Sequence, residues 1–353
     1  MSIWFSALTS GRGVTPHLPR RYFSLQLATG ALLAGTPQLG SKWAFAADVN
    51  AEIAGGVYAR LRAAGLIVLV NGQKKASGAL IDPGGLAVTA AHVIGQKGAR
   101  VGVLLNTDER LAAEVVAVDL GHDLALLRLP GRAGGYPFLP VAARTPNPAA
   151  TVFCLGTPPT MRIPVLLRGS MASDQLVYAF LGVDFIPSLT VSAHLPLGTS
   201  GGPWVNDQGE VFGVQSGVVS QHGISVGVAL VSPVSGVRRL LEMRRNAVTP
   251  HVGMGVADIL EQEQPHRALY PVDAEGLFVT SVAANGPAAR AGVKQWSLIF
   301  GAEAQPIRTI TEFFTLMRVK KPGDEFLMEV LEPGGATKRE VKVALGLLEA
   351  SWQ

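Results

Sequence analysis

The sequence predicts a mainly β chain, an antiparallel barrel architecture followed by a smaller C-terminal module of mixed helix and strand. Strand-like runs rich in Val, Leu and Ile recur at short intervals from Leu66 to Val231. Turn formers such as Asp82-Pro83-Gly84-Gly85 and Asn206-Asp207-Gln208-Gly209 separate them. The composition agrees: 41 glycines and 23 prolines in 353 residues suit many short strands, and 48% hydrophobic against 16% charged residues supplies a core for two or three domains.

The elements follow in order. A helical pattern from about Ala51 to Ala64 places Ile53, Val57, Leu61 and Ala64 on one face, with Gly65 as its stop. Strands are expected at Leu66–Val70, Gly78–Ile81, Leu86–Thr89, Val101–Leu105, Ala112–Val118, Leu124–Leu129 and Thr151–Leu155. The series continues with Ile163–Leu167, Gln175–Ala179, Leu189–Ala193, Pro203–Val205, Val211–Gly217 and Val226–Val231. A helix over Val234–Arg245 closes this unit, and Asn246-Ala247-Val248-Thr249-Pro250 leads out of it. Beyond lie an alternating strand at Gly276–Val282, a short helix in Asn285–Val293 stopped by Gly292, an amphipathic helix over Ile310–Val319, and a hairpin of Phe326–Leu331 and Val341–Ala344 across Pro333-Gly334-Gly335.

Three pieces of this chain carry chemistry: Thr89-Ala90-Ala91-His92, His122-Asp123-Leu124-Ala125-Leu126, and Gly198-Thr199-Ser200-Gly201-Gly202-Pro203. A serine hydroxyl is a poor nucleophile near neutral pH, so a hydrolase built on it needs an imidazole to take its proton and a carboxylate to orient that imidazole. Ser200, His92 and Asp123 fit those roles. Glycine-rich backbone around Ser200 can turn amide hydrogens toward a developing oxyanion, and Gly198 and Ser200 are the expected donors.

The order and the local sequences resemble chymotrypsin-like serine proteases, and specifically the bacterial HtrA (Deg) branch. Ala76–Thr89 is similar to that branch's lead-in to the histidine, Glu114–Asp119 with Asp123 to its aspartate strand, and Gly209–Val214 to the strand after its serine. Thr199 stands where asparagine is usual, and Trp204 is larger than expected after Gly-Gly-Pro. The resemblance implies a chymotrypsin-like double six-stranded antiparallel β-barrel over residues 47–246, with the triad at the junction of the barrels. It implies that the segment Val214-Gln215-Ser216-Gly217 pairs as an edge strand with substrate, and that His194 lies near the pocket for the residue preceding the scissile bond. Residues 250–348 resemble an α+β PDZ domain, with Val252-Gly253-Met254-Gly255 as its carboxylate-binding loop, although Gln295-Trp296-Ser297 replaces the usual glycine and aspartate turn.

Pro19-Arg20-Arg21-Tyr22-Phe23-Ser24-Leu25, the apolar stretch to Leu33 and Ala44-Phe45-Ala46 read as an export signal over residues 1–46, cleaved after Ala46. The paired arginines resemble the twin-arginine motif; an ordinary secretory leader is the other reading, and both end in the periplasm. The apolar stretch is too short and polar for a transmembrane anchor. All of the net charge of +4 sits in this leader, so the remainder is formally neutral and no basic stripe points to nucleic acid. Cys154 is the single cysteine, which excludes an intrachain disulfide, and no metal or other cofactor is expected. The expected function is an exported endopeptidase acting on unfolded or extended polypeptide in protein quality control, with C-terminal peptides held at the PDZ domain and a homotrimer as the assembly of many relatives. The alternative is a protease-like fold retained as a chaperone or peptide-binding scaffold.

Overall fold

The structure, a computed structural model, describes residues 55–349 apart from 96–97, 159–160, 182–183, 222, 263–264 and 335–336. The expected leader lies outside the described residues.

Residues 55–64 are helical (α1) and bury Val57, Leu61 and Ala64. The first lobe is an antiparallel sheet of β1 (Gly65–Val70), β2 (Gln73–Leu80), β3 (Leu86–Ala90), β4 (Val101–Leu105), β5 (Arg110–Ala112), β6 (Glu114–Asp119) and β7 (Leu124–Arg128), ordered β5-β4-β1-β2-β3-β7-β6. Asn71 and Gly72 join β1 to β2 with φ of 52° and 78°, the left-handed pair whose twist suits a two-residue hairpin. The second lobe is a closed barrel, β10-β13-β12-β11-β8-β9, formed by β8 (Thr151–Gly156), β9 (Val165–Phe180), β10 (Phe185–Ser192), β11 (Pro203–Val205), β12 (Val211–Gln221) and β13 (Ile224–Pro233).

Two local expectations change. The run Ala112–Val118 divides at Ala113, whose amide donates to Val101 O at 3.0 Å, so β5 pairs with β4 while β6 pairs with β7 and the first lobe carries seven strands. Ile163–Leu167 and Gln175–Ala179 merge into β9, because Ser170, Ser173 and Asp174, turn-like in sequence, serve a long strand that pairs first with β8 and then with β10.

The first-lobe core of Leu66, Val68, Leu80, Val88, Val103 and Leu126 continues without a break into Phe153, Leu155, Val205, Val211 and Val214 of the second lobe. A shared apolar core makes the lobes one rigid support for groups placed at their junction. The second barrel is filled by Val152, Met171, Leu189, Val191, Trp204 and Phe212, together with Cys154. Burial pushes the Cys154 thiol well above its ordinary pKa, which suits an inert small hydrophobe. α2 (Val234–Met243) leaves β13 and buries Val237 and Leu240 against the first lobe; it ends earlier than expected, with Arg244 at φ 47° as its left-handed cap.

The C-terminal module begins at β14 (Pro250–His251), followed by β15 (Met254–Asp258), β16 (Leu277–Val282), α3 (Pro287–Arg290), β17 (Leu298–Ala302), β18 (Gln305–Pro306), α4 (Ile310–Arg318), β19 (Glu325–Leu331), β20 (Lys338–Ala344) and β21 (Gly346–Leu347). β14 pairs with β21, and the main sheet runs β15-β16-β17-β19-β20. Thr309 and Glu312 form a reciprocal capping box that starts α4, and Phe313, Phe314 and Met317 bury its apolar face. Trp296 occupies the unusual turn at φ 71°, its ring stacked on His266 at 4.3 Å and on Phe278 at 5.3 Å, so aromatic packing holds a left-handed position that glycine would hold alone. The module is seated on the second barrel by Arg318, which donates to Asp184 Oδ2 (3.1 Å) and Phe185 O (2.7 Å), and by Phe185 stacked on Phe314 at 4.5 Å.

Candidate active site

His92 lies on a single 3-10 turn, Ala91–Val93, immediately after β3, and Asp123 ends the turn that enters β7. The strands β3 and β7 are paired, Ala90 opposite Leu124, which brings the two ends together. His92 Nδ1 donates to Asp123 Oδ2 at 2.8 Å, and the His92 amide donates to Asp123 Oδ1 at 2.9 Å. Both carboxylate oxygens are therefore spent on one residue, fixing the ring and leaving its Nε2 as the proton-accepting edge. Asp123 is 5% exposed and adopts φ 53°, a left-handed conformation unusual for a side chain larger than glycine's.

Burial pushes the His92 pKa down. The neighbouring Asp123 charge and their hydrogen bond push it up more strongly, so the imidazolium is favoured above its ordinary range.

The Ser200 loop belongs to the second lobe but is docked on the first. Ser77, on β2, donates its amide to Ser200 O at 2.9 Å and its hydroxyl to Gly198 O at 3.0 Å, while its own carbonyl accepts Thr89 Oγ1 at 2.8 Å. Gly201 N donates to Gln215 O at 2.7 Å and Gln215 N to Gly202 O at 2.9 Å, which ties the other side of the loop to β12. Gly202 N holds Thr199 O at 2.9 Å; since a trans peptide points its N–H opposite its C=O, this bond sets the direction of the Ser200 amide. Gly198 and Gly201 have φ of 87° and 80°, values that a β-carbon disfavours. The loop can thus present two amides and a hydroxyl from one tight turn, half-buried at Gly198 and Ser200.

The three sequence pieces therefore converge where the lobes join. What sequence reasoning missed is the support: Ser77, Thr89 and Gln215 dock the loop, and although Ser77 and Thr89 lie inside the Ala76–Thr89 motif and Gln215 on the expected edge, nothing local assigned them that role.

The first half of the expected edge, Val214 and Gln215, is already paired. Val214 pairs with Pro203, and both backbone groups of Gln215 are taken by the Ser200 loop, so neither is open to a further strand. Among the described residues, the β11 side of β12 is without a strand partner only from Ser216 onward, through Gly217, Val218 and Val219. The side chains of Val214, Gln215 and Ser216 are buried. Gln215 accepts Trp204 Nε1 at 2.7 Å and donates to Gly217 O at 2.6 Å, so the large Trp204 braces this strand from below. Trp204→Phe strands the buried Gln215 carbonyl oxygen and is expected to cost about 1–3 kcal/mol in denaturant unfolding. A loss below about 0.5 kcal/mol shows the brace to be redundant.

His194 is exposed at the end of β10, its ring lying over Gly227. In the C-terminal module, Val252 O accepts Ala288 N and Gly253 O accepts Ala283 N, both at 2.9 Å, and Gly253 has φ 74°. Gly253, Met254 and Gly255 line a cavity of about 390 Å³ with Ser281, Val282 and Phe180. Among the described residues no group of three or more His, Cys, Asp or Glu side chains is placed to hold a metal ion, and no helix is long and apolar enough to cross a membrane.

Residues 76–214, which include the histidine–carboxylate pair and the docked glycine-rich serine loop at the junction of the two β lobes, match the trypsin-like peptidase domain family. A probable periplasmic serine endoprotease DegP-like from Chlamydia pneumoniae is 24% identical over 285 residues, 76% of this chain and 55% of that protein. Serine protease HTRA3 of Homo sapiens is 25% identical over 347 residues, 86% of this chain and 72% of that protein. The chain spans about half the length of the bacterial curated relatives. Among solved structures, the HtrA-type protease AlgW with tripeptide superposes with a TM-score of 0.58 at 20% identity, covering 83% of this chain and 97% of that one. The serine endoprotease from Yersinia pestis gives 0.55 at 21%, covering 84% and 98%. The chain is thus similar to HtrA-type serine proteases, and its residues 76–214 match a trypsin-like peptidase domain.

Proposed function

We propose that the protein is an exported serine endopeptidase that hydrolyses exposed or unfolded polypeptide segments in the periplasm. The observation that carries this reading is the 2.8 Å His92–Asp123 bond beside a Ser200 loop pinned from both lobes. Ser200 attacks the scissile carbonyl, His92 takes its proton and returns it to the leaving amine, Asp123 orients the imidazole and stabilises its charged form, and the Gly198 and Ser200 amides receive the oxyanion. Water then hydrolyses the acyl-enzyme by the same proton relay.

Substrate joins as a strand on the open edge from Ser216 to Val218, where backbone pairing is indifferent to side-chain sequence. That suits a protease acting on extended chain. The names of the bacterial relatives support the periplasm, and the twin-arginine route rests on Arg20 and Arg21.

Residues 250–348 act as a PDZ domain, with Val252–Gly255 receiving a peptide's terminal carboxylate beside β15 and α4. Gly253, at φ 74° in the turn before β15, supports this reading as the flexible point of the loop.

Purified protein incubated with unfolded casein and a fluorophosphonate is expected to degrade the casein and to carry the label on Ser200 by peptide mapping. Peptide binding without labelling or cleavage favours the scaffold reading instead. Activity requires neutral His92, so it is lost as pH falls through the raised pKa. The acid limb of kcat/KM is therefore expected above the ordinary histidine value of 6.5, and a midpoint below it contradicts the assigned base.

A further inference from the structure

Asp123 meets His92 with its backbone held at φ 53°. That torsion is the rotation between the His122–Asp123 peptide plane and the Asp123 Cα, so whatever fixes the plane aims the carboxylate. The plane is held from two sides: within the turn the Asp123 amide donates to Leu120 O at 3.3 Å, and the carbonyl is held from the opposite lobe. Ser232, near the end of β13, donates its hydroxyl to His122 O at 2.5 Å. A hydroxyl has one proton, and this one is spent; the 2.6 Å contact between Ser216 Oγ and Ser232 Oγ must then be donated by Ser216. Both serines are fully buried at 0% exposure, which excludes competing water and makes each bond count.

The preceding peptide is held from within the first lobe. Buried Asp119 accepts the His122 amide on Oδ1 at 3.2 Å and His122 Nδ1 on Oδ2 at 3.0 Å. Burial works against the Asp119 charge, but the His122 hydrogen bond and charge, with Arg239 nearby, keep its pKa below the ordinary carboxylate range. His122 is thereby anchored at its amide and its ring by Asp119 and at its carbonyl by Ser232. The clamp leaves Asp123 little freedom to leave its left-handed conformation, which costs about 1 kcal/mol or more when unsupported.

We propose that Ser232 is a positioning residue for the reaction: its hydroxyl, reaching across the lobe boundary, holds the His122–Asp123 peptide in the orientation that aims the Asp123 carboxylate at His92. Ser216 extends this link to the open edge of β12, so the strand offered to substrate and the acid of the triad share one chain of hydrogen bonds. The kinetic consequence rests on the serine-hydrolase reading; the geometric one does not.

The test is Ser232→Ala, with Ser232→Thr and Ser232→Cys as companions and Ser216→Ala as the variant that leaves the bond to His122 in place. Hydrolysis of an unfolded protein substrate and the rate of fluorophosphonate labelling are measured well below each variant's Tm. The downfield proton resonance of the His92–Asp123 hydrogen bond is recorded on the same full-length samples. Ser232→Ala is expected to lower kcat and the labelling rate about tenfold with KM within about twofold, the scale of one lost buried hydrogen bond, and to shift the resonance. Ser232→Thr restores both readings, and Ser216→Ala gives a smaller effect than Ser232→Ala. Should the alanine variant not fold, Ser232→Cys, near in size with a weaker donor, carries the same expectation in reduced degree. Wild-type kinetics and an unmoved resonance in Ser232→Ala, or in Ser232→Cys in its place, overturn the proposal. If the wild-type protein neither labels nor hydrolyses, the hydrolase reading has failed, and the resonance alone decides: a shift sustains the positioning role and an unchanged signal overturns it.

Discussion

Ser200→Ala is expected to abolish hydrolysis, with a fall on the order of 10⁶ in kcat by analogy with nucleophile removal in other serine proteases, and to leave the fold intact. The contrast between the two outcomes comes from how the residue is held. Ser200 contributes to the docking of its loop through its carbonyl, which accepts the Ser77 amide at 2.9 Å, and alanine keeps that carbonyl. Gly198 O and Thr199 O remain held by Ser77 Oγ and Gly202 N. Only the nucleophilic oxygen is lost. Thermal unfolding of the variant should therefore track the parent within about 0.5 kcal/mol, as for other substitutions that disturb no packing. Steady-state turnover of casein and a melting curve check both halves; hydrolysis within a hundredfold of the parent removes Ser200 from the mechanism.

Gly201→Ala should do the reverse, damaging turnover through the fold of the loop while every reacting group is still present. Gly201 has φ 80°, and a β-carbon there falls 2.2 Å from both Ser77 O and Thr89 Oγ1 and 3.0 Å from Ala90 N. Neither close neighbour can retreat cheaply, because Thr89 Oγ1 donates to Ser77 O at 2.8 Å in a buried pair. The loop must lift off β2 and β3. Lifting breaks the Ser77–Ser200 and Gly201–Gln215 bonds and removes the Ser200 amide from its set direction. Two buried hydrogen bonds and a left-handed alanine together amount to about 3 kcal/mol or more. Denaturant unfolding should show that loss, and fluorophosphonate labelling should fall below detection. A variant that labels at the parental rate contradicts the docking of the Ser200 loop on the first lobe.

The triad pieces were legible because serine-hydrolase chemistry restricts which residues can serve, and glycines around a serine leave few other readings. Strand runs such as Val101–Leu105 and Pro203–Val205 were equally plain, since their apolar residues and flanking turns are local properties. β9 was not, because Ser170 and Asp174 carry turn chemistry that only pairing with two different neighbours overrides. That Val214 and Gln215 of the expected edge are already paired was hidden for a related reason. Whether Gln215 has free backbone groups depends on Gly201 and Gly202, which are distant in sequence and arrive beside it only when the barrel closes.

By itself, then, the sequence determined most of the strand runs, the three candidate chemical groups and the glycines that permit a tight serine loop, all of which follow from residue type and spacing over a few positions. Tertiary structure alone decided which groups hold them. Ser77 and Thr89 beneath the loop, and Ser232 against the His122 carbonyl, are ordinary hydroxyls whose roles come from the partner placed opposite them. A hydrogen bond between residues 110 positions apart leaves no local pattern to read, because its energy depends on a meeting that only the packed lobes produce.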